Sequence, residues 1–334
     1  MRHAHTSPNT SPTRSNALHR TSTATESVCT GHLQNSRQSF LQACLPEAAD
    51  GETIATVRID AHQHFWRYDA TDYSWINVRM QRIARDFLPA DLQPRLEACN
   101  LDGTIAVQAR SSLEETRFLV DLARNNDCVK AVVGWADLCA DNLDAVLDEL
   151  CQDRELRGLR HVVQDEPDDQ FLARSDFQNG VRKLADRNLV YDILIFPRQL
   201  DAAITFAGAL PNQPLVLDHL AKPNIAKHDK NAWQPGFEAL AKFEHVSCKL
   251  SGMVTEAKWN EWQANDFRHY LDTALAAFGA DRLMFGSDWP VCLLAAHEYQ
   301  DVYQLVVDWA NALSESEQQK LFGNNAARIY GISN

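Results

Sequence analysis

Residues 283–290 read Leu-Met-Phe-Gly-Ser-Asp-Trp-Pro. The apolar run 283–285 predicts a short buried strand, which ends at the Gly-Ser pair that follows it. Asp288 then lies at the carboxyl end of this strand, and Pro290 prevents the strand from continuing. Because a buried carboxylate is costly unless its charge is used, Asp288 is interpreted either as a cap of the next turn or as a catalytic group.

Similar short apolar runs recur from residue 54 onward and alternate with longer segments of helical periodicity. The predicted strands are residues 54–60, 103–107, 131–135, 157–162, 190–195, 214–218, 246–250 and 282–286. The predicted helices include residues 114–125, 141–151, 176–187, 199–208, 233–243 and 265–278. This alternation predicts a single (β/α)8 TIM barrel over residues 53–334. A doubly wound open sheet is the alternative, but no glycine-rich phosphate loop follows any strand.

The composition narrows the classes of partner. The 334-residue chain has a net charge of −13, which argues against nucleic acid or an anionic membrane surface as the main partner. No run of about 18 apolar residues is present, so no transmembrane helix is expected. The eight cysteines contain no CxxC pair and predict free thiols in a reducing compartment, which indicates a cytoplasmic protein. The sequence leaves open whether the chain forms a homo-oligomer.

Residues 1–52 differ in composition from the rest of the chain. The first thirty residues hold twelve Ser or Thr and almost no large apolar residues. Such a segment cannot bury enough surface to offset its ordering entropy, so it is predicted to be a disordered, low-complexity extension. It lacks the apolar core of a secretory signal, and although its Arg/Ser/Thr bias would suit an organelle transit peptide, the amphipathic pattern is missing.

Four histidines fall at predicted strand ends, where barrel enzymes place their catalytic groups. His62 and His64 alternate along the first strand, so both side chains are expected on one side, where they could meet one ion or one substrate. His161 follows the fourth strand and His219 the sixth, while Asp288 follows the eighth. Any one of these histidines could be a hydrogen-bonded structural residue, but their clustering at one barrel face favours a catalytic site.

Further polar and aromatic residues lie near the same strand ends. Gln108, Arg110 and Gln164 suit the binding of an oxygen-rich ligand, although solvated loop residues are the alternative. Trp66, Trp135 and Trp289 could stack on a sugar ring, although packing in the core would explain each of them equally well. These six residues are the candidate substrate-binding set.

These motifs resemble the amidohydrolase superfamily, and within it the group of sugar-lactone and pyrone-lactone hydrolases that includes L-fuconolactonases and L-rhamnonolactonases. The resemblance extends over about residues 57–332. It is carried by Asp-Ala-His-Gln-His-Phe-Trp (60–66), Tyr-Ser-Trp-Ile (73–76), Gly-Trp-Ala-Asp-Leu (134–138), Arg-His-Val-Val-Gln-Asp-Glu-Pro-Asp (160–168), Asp-His-Leu-Ala-Lys-Pro (218–223), Lys-Leu-Ser-Gly (249–252), Gly-Ser-Asp-Trp-Pro (286–290) and Gly-Asn-Asn-Ala-Ala-Arg-Ile-Tyr (323–330).

The resemblance implies a site built from His62, His64, His219 and Asp288. Two-metal members of the superfamily also use a bridging Lys or Glu on the fourth strand and a histidine on the fifth. Here the fourth strand offers His161 and the fifth offers no histidine. The resemblance therefore implies either one divalent ion, with zinc preferred, held by His62, His64 and Asp288, or a site that needs no metal.

The predicted reaction is hydrolysis of a sugar-derived lactone, such as L-fuconolactone or L-rhamnonolactone, to the aldonic acid. Asp288 is the predicted base that activates water, and His64 would help to hold the water. His161 and His219 would polarise the carbonyl or protonate the leaving ring oxygen. The modest supply of cationic residues favours a neutral lactone over a pyrone dicarboxylate. The alternatives are a metal-dependent decarboxylase of the same superfamily and a non-catalytic sugar-binding barrel.

Overall fold

The computed structural model describes residues 57–332, and the predicted extension 1–52 lies outside the described residues. Eight parallel strands form one sheet in sequential order. The strands are β1 (Ile59–Gln63), β2 (Gly103–Val107), β3 (Val129–Gly134), β4 (Leu156–His161), β5 (Val190–Ile193), β6 (Leu215–Leu217), β7 (Val246–Leu250) and β8 (Leu283–Phe285).

Helices fill the connections between the strands and follow the last one. They are α1 (Pro89–Ala98), α2 (Leu113–Asn125), α3 (Leu143–Leu150), α4 (Ser175–Ala185), α5 (Leu200–Ala209), α6 (Gln234–Leu240), α7 (Met253–Glu256), α8 (Ala264–Phe278), α9 (Tyr299–Ala310), α10 (Glu315–Gln319) and α11 (Asn325–Ile329). None of the helices within residues 57–332 is long and apolar enough to cross a membrane.

The predicted (β/α)8 barrel is confirmed. Seven of the predicted strands differ from the observed ones by no more than two residues at either end. The exception is the first, predicted over 54–60, of which residues 54–56 lie outside the described residues. The observed strand runs from Ile59 to Gln63, because the chain stays extended until it has passed His62. The six cysteines in the described part of the chain, residues 99, 128, 139, 151, 248 and 292, are free thiols.

Apolar side chains fill the lower part of the barrel. Their small and branched shapes pack in layers, as the interior of an eight-stranded barrel requires. Helix α11 and the residue after it close this end with Ala326 and Tyr330. The inward-facing strand residues in this cluster are Ile59, Ala61, Ile105, Val107, Ala131, Val133, Val190, Val216 and Met284.

An irregularity in β1 turns His62 toward the inside of the barrel. The register between β1 and β2 shifts between Asp60 and Gln63. Ile59 and Ala61 face the inner core, whereas Asp60 reaches outward to Tyr299 in α9. After the shift, His62 also faces inward, where it contacts side chains from β4 and β7. Bulges of this kind often re-aim a side chain beside an active site.

Asp60 ties β1 to the segment after β8 and so helps to close the barrel. Its carboxylate accepts hydrogen bonds from Ser287 N (2.9 Å), Ser287 Oγ (2.6 Å), Tyr299 Oη (3.0 Å) and His62 N (3.1 Å). Burial raises the pKa of Asp60 to about 6, although the hydrogen bonds from Ser287 oppose this shift. The backbone completes the closure, since Asp288 N donates to His62 O at 2.8 Å and His64 N donates to Trp289 O at 2.7 Å.

We expect Asp60→Ala to lower the free energy of unfolding by about 3 kcal/mol, because it leaves several buried donors without an acceptor. Tyr299→Phe removes only one of these donors and should cost about 1 kcal/mol. Urea unfolding followed by circular dichroism measures both values. Equal losses for the two variants would show that Asp60 does not act as the shared acceptor.

Candidate active site

A pocket of about 600 Å³ opens at the carboxyl ends of the strands. His64, His161, His219 and Asp288 all line it, so the structure brings the four residues predicted to be catalytic to one pocket. His62 lies beneath them and is fully buried. The four residues that line the pocket come from four different strand ends, which is how this fold assembles active sites.

His64 and Asp288 are in direct contact. His64 Nδ1 lies 2.7 Å from the carbonyl oxygen of Val107, which can only accept, so the ring carries a proton on Nδ1. The other ring nitrogen, Nε2, lies 3.2 Å from Asp288 Oδ1. Two acceptors at this distance repel each other unless a cation lies between them or the ring carries a second proton. The contact therefore requires positive charge between His64 and Asp288.

Asp288 is held as an ionised carboxylate in a strained backbone conformation. Burial would raise its pKa, but its charged and hydrogen-bonding neighbours, His64 and Lys222 among them, outweigh that effect and lower the pKa below its usual value. Its φ is 56°, in the left-handed region that non-glycine residues rarely adopt. Gly286 precedes it because a Cβ there would lie 2.7 Å from the Cβ of His62. The turn thus brings a carboxylate close to both β1 histidines.

His219 begins a left-handed turn. Residues 219–222 all have φ between 52° and 58°, and such a conformation costs roughly 1–2 kcal/mol per non-glycine residue. Trp233 Nε1 donates to the carbonyl oxygen of Leu220 at 2.6 Å and helps to hold the turn. His219 Nδ1 lies 2.9 Å from Ser251 Oγ, and burial lowers the pKa of His219 well below its usual value. His219 is therefore a neutral imidazole at neutral pH.

His161 lies on the opposite wall and has both ring nitrogens engaged. Trp135 Nε1 donates to His161 Nδ1 at 3.3 Å, so the ring proton is on Nε2, which lies 2.7 Å from Glu166 Oε1. Phe171 stacks on the ring at 5.0 Å. These contacts fix the orientation of His161 and leave it no free nitrogen for a substrate atom, so a direct acid role has less support from the geometry than the sequence suggested.

A layer of buried charges lies directly below the pocket. The carboxylate of Asp218 is 2.9 Å from Arg160 Nη1, 3.1 Å from Lys249 Nζ and 3.2 Å from His62 Nδ1. Burial opposes ionisation of Asp218, but Lys249, His62 and Arg160 together hold its pKa well below the usual value. Lys249 also pairs with Asp192, which accepts a 2.7 Å hydrogen bond from Tyr330 Oη. Each Lys, Arg and Asp of the layer therefore lies next to an opposite charge.

Sequence reasoning identified the histidines but did not select the residues of this layer. Arg160 and Lys249 occur within motifs that carried the family resemblance, yet their charge gave no reason to place them inside a barrel. Asp218 and Asp192 stand in short apolar strands, and an isolated carboxylate in such a strand is the one available signal. Glu256 was also missed; it lines the pocket, and burial raises the pKa of its carboxyl group.

The six candidate substrate-binding residues divide into two groups. Arg110 and Gln164 line the pocket. Trp66 and Trp289 are fully buried in the core and lie off the pocket wall, so their positions give no support for stacking on a ligand. Gln108 is also buried, and its Oε1 accepts a 2.8 Å hydrogen bond from Arg160 instead. Trp135 orients His161, as described above, and is not among the lining residues.

The predicted metal ligands are suitable for a divalent ion. One ligand atom from each of His62, His64 and Asp288 lies within 4.8 Å of the others, and two imidazoles with a carboxylate form a typical zinc donor set. The 3.2 Å between His64 Nε2 and Asp288 Oδ1 is close to the separation of two ligands on one tetrahedral ion. The Val107 carbonyl orients His64 in the way that outer-shell groups orient metal-bound histidines. His62 Nε2 is less free, since Arg160 Nη1 lies 3.3 Å away.

Glu115 organises the loop that carries Arg110. Its buried carboxylate accepts hydrogen bonds from the backbone N–H groups of Ala109 and Arg110 at 2.9 Å each, and from Tyr73 Oη at 2.9 Å. Burial raises the pKa of Glu115 from 4.5 to about 7, although these hydrogen bonds oppose the shift. Glu115 therefore connects two loops at the pocket mouth. Ionising its buried carboxyl group costs free energy, so its contribution to stability depends on pH.

Because the folded pKa of Glu115 is raised, its contribution to stability is greatest below pH 4.5 and is lost as the pH rises toward 7. Glu115→Gln keeps an acceptor for both N–H groups and a donor for Tyr73, without a charge. We expect this variant to gain roughly 2 kcal/mol relative to the wild type between pH 4.5 and pH 8. Chemical unfolding at three pH values measures the change.

Glu114→Gln, at the exposed neighbouring position, is the control and should show no such gain. A difference between Glu115→Gln and the wild type that does not vary with pH would contradict a raised pKa at Glu115.

Similarity to known proteins agrees with the geometry. A relative from Burkholderia multivorans named L-fucono-1,5-lactonase is 47% identical over 290 residues, which cover 84% of this chain and 97% of the relative. A second L-fucono-1,5-lactonase, from Burkholderia ambifaria, is 37% identical over 282 residues, covering 83% of this chain and 96% of its own length. A crystal structure of an amidohydrolase from Burkholderia multivorans with bound zinc is 48% identical, covers 83% of this chain and 100% of that chain, and has a TM-score of 0.80.

The amidohydrolase family model matches residues 59–332, which span the whole barrel. The resemblance predicted from the strand-end motifs is thereby confirmed. This chain belongs to the amidohydrolase family.

Proposed function

We propose that this protein hydrolyses a neutral sugar-derived lactone to the aldonic acid, with Asp288 as the base that activates water. The observation that carries the proposal is the ionised Asp288, in contact with His64 and facing His219 in one pocket of about 600 Å³. The two relatives named L-fucono-1,5-lactonase support an aldonolactone such as L-fucono-1,5-lactone as the substrate.

Charge pairing in the pocket supports a neutral substrate. Both arginines on the described pocket wall already face a carboxylate. Arg110 pairs with Asp72 at 2.5 Å and Arg160 with Asp218 at 2.9 Å. A dicarboxylate would have to displace these partners, whereas a lactone without a free carboxylate would not.

Unpaired polar atoms support recognition of hydroxyl groups. Trp75 Nε1, Arg110 Nε and Gln164 Oε1 belong to residues that line the pocket, and all three are without a hydrogen-bond partner among residues 57–332. A buried polar atom left unpaired costs free energy, so ligand hydroxyls that reach two donors and one acceptor would recover it. A polyhydroxylated ring meets this requirement.

The residues divide the chemistry between them. Asp288 takes a proton from a water molecule, whose oxygen then attacks the lactone carbonyl. If Ser251 donates to His219 Nδ1, the ring proton of neutral His219 is on Nε2, from which it can donate to the carbonyl oxygen as charge develops. Glu256, with its raised pKa, lines the same pocket and is suited to protonate the ring oxygen as the ester bond breaks.

A divalent ion fits this scheme as a cofactor held by His64 and Asp288, with His62 as a third ligand. When bound, such an ion supplies a Lewis acid that lowers the pKa of water. The related amidohydrolase with bound zinc supports zinc as the ion.

The direct test is a pH-indicator screen of aldonolactones against the purified protein, with and without a strong chelator. We expect acid release from a 1,5-lactone of a sugar acid, because the described pocket wall holds a base and polar groups while both of its arginines are paired. Failure to release acid from any lactone tested would refute the proposal. Release of carbon dioxide from an aromatic acid, in place of acid from lactones, would favour a decarboxylase.

Asp288→Asn should lower kcat by about 100-fold or more, since it removes the general base while keeping the shape of the side chain. Asp141→Asn makes the same chemical change at an exposed position in the β3–α3 connection, outside the pocket wall, and should leave kcat unchanged. Steady-state kinetics with the best lactone measures both. Wild-type turnover in Asp288→Asn would remove Asp288 from the mechanism, and binding without turnover in the wild type would indicate a sugar-binding barrel.

Glu256→Gln should remove the alkaline limb of the pH–rate profile, because the wild-type rate falls as the Glu256 proton is lost. Because the pKa of Glu256 is raised, the alkaline limb should lie at a higher pH than the pKa of an ordinary Glu. Because the pKa of Asp288 is lowered, the acid limb should lie at a lower pH than the pKa of an ordinary Asp. Profiles of kcat against pH provide the measurement, with Glu114→Gln as the control. An alkaline limb that persists in Glu256→Gln would assign proton donation to another group.

A further inference from the structure

The lone pair of His62 Nε2 is needed by the Arg160 guanidinium and would also be needed by an ion at the predicted metal site. Arg160 Nη1 lies 3.3 Å from this nitrogen. Asp288 Oδ1 lies 3.9 Å from it, on the side where an ion shared with His64 would be held. An sp² ring nitrogen has a single lone pair, so it can accept from a guanidinium or bind a metal ion, but it cannot do both.

The contact with Arg160 engages the lone pair of His62 Nε2. Arginine nitrogens only donate, so Arg160 Nη1 requires Nε2 to be the acceptor and the ring proton to lie on Nδ1. Nδ1 lies 3.2 Å from Asp218 Oδ1, a carboxylate oxygen that favours a proton there, and 3.3 Å from Lys249 Nζ, which can only donate. With the proton on Nδ1, the Lys249 ammonium is balanced by Asp192 and Asp218 rather than by His62.

Arg160 is fixed in this position by the rest of its hydrogen bonds. Nε and Nη2 lie 3.2 Å and 2.8 Å from Gln108 Oε1, Nη2 also donates to the Gln108 carbonyl oxygen, and Nη1 donates to Asp218 Oδ2 at 2.9 Å. Its side chain is only 3% exposed. A guanidinium cannot be deprotonated in a protein, so no change of pH within the working range releases Nε2.

We propose that Arg160 competes with the metal ion for His62 Nε2 and thereby weakens the metal site of this barrel. An ion must either displace the Arg160 contact or bind with His64 and Asp288 as its protein ligands. The paired layer adds to this effect, because Arg160 and Lys249 balance Asp192 and Asp218 and leave no net negative charge below the site. Arg160 thus acts as a positioning residue that sets metal affinity.

The test compares zinc affinities of purified apoproteins in competition with a chromophoric chelator. Arg160→Met removes the competing donor and one positive charge, and should tighten zinc binding by at least about tenfold, the scale of outer-shell effects on metal sites. A purely structural role predicts the opposite sign, since damage to the layer would weaken binding. This readout does not depend on the proposed lactonase activity, so either proposal can fail without the other.

Lys249→Met is the matched control, because it removes a buried cation that lies at the same 3.3 Å distance from His62 but faces Nδ1. We expect it to tighten zinc binding by less than Arg160→Met does. An equal gain in both variants would overturn the proposal, because simple loss of charge would then explain the effect.

Arg160→Lys keeps the charge but loses the planar guanidinium that reaches Nε2. We expect it to tighten zinc binding by less than Arg160→Met does, and it provides the test if Arg160→Met does not fold. Adding His62→Ala to either variant should abolish the gain. Zinc affinity equal to or below that of the wild type in a folded Arg160 variant, or a gain that survives without His62, would refute competition at Nε2.

Discussion

The carboxylate of Asp218 is the point on which the inner structure of this barrel depends. It stands at the carboxyl end of β6 and faces Arg160 from β4, Lys249 from β7 and His62 from β1. Removing one member of a buried ionic group leaves the others uncompensated, at a cost of several kcal/mol. A single carboxylate therefore links side chains from three other strands and holds this layer of charges in place below the pocket. This rigid layer supports the side chains that lie above it, those of His64, His219 and Asp288.

Strain at the pocket floor is offset by this support. Asp288 and residues 219–222 adopt left-handed backbone conformations, which cost roughly 1–2 kcal/mol each outside glycine. Such conformations persist only where the surroundings over-determine them, and they cluster at functional sites. The glycine at position 252 leaves room for the ring of His219, because a Cβ there would lie 2.5 Å from His219 Nδ1. The strained turns place a carboxylate and a neutral imidazole side by side, an arrangement that unstrained strand ends would not reach.

The pocket combines an ionised carboxylate with few unpaired charges on its described wall. The two arginines on its described wall are paired, and the polar atoms left without partners are suited to hydroxyl groups rather than carboxylates. Lactones are activated esters, so their hydrolysis demands less electrophilic assistance than that of amides. A metal site moderated by Arg160 is consistent with such a substrate. The chemistry and the charges of the pocket thus favour a neutral lactone, the class of ligand that the names of the related lactonases indicate.

The sequence by itself determined the barrel, the family and the strand ends at which His62, His64, His161, His219 and Asp288 lie. It could do so because apolar strand patterns and short polar motifs are local in the chain. Only the tertiary structure decided that Trp66 and Trp289 belong to the core, that His161 is occupied by Trp135 and Glu166, and that Arg160 contacts His62. The shift in β1 that turns His62 inward also depends on pairing with a strand about forty residues away. Side-chain direction and charge pairing result from contacts between distant segments, and no local pattern encodes them.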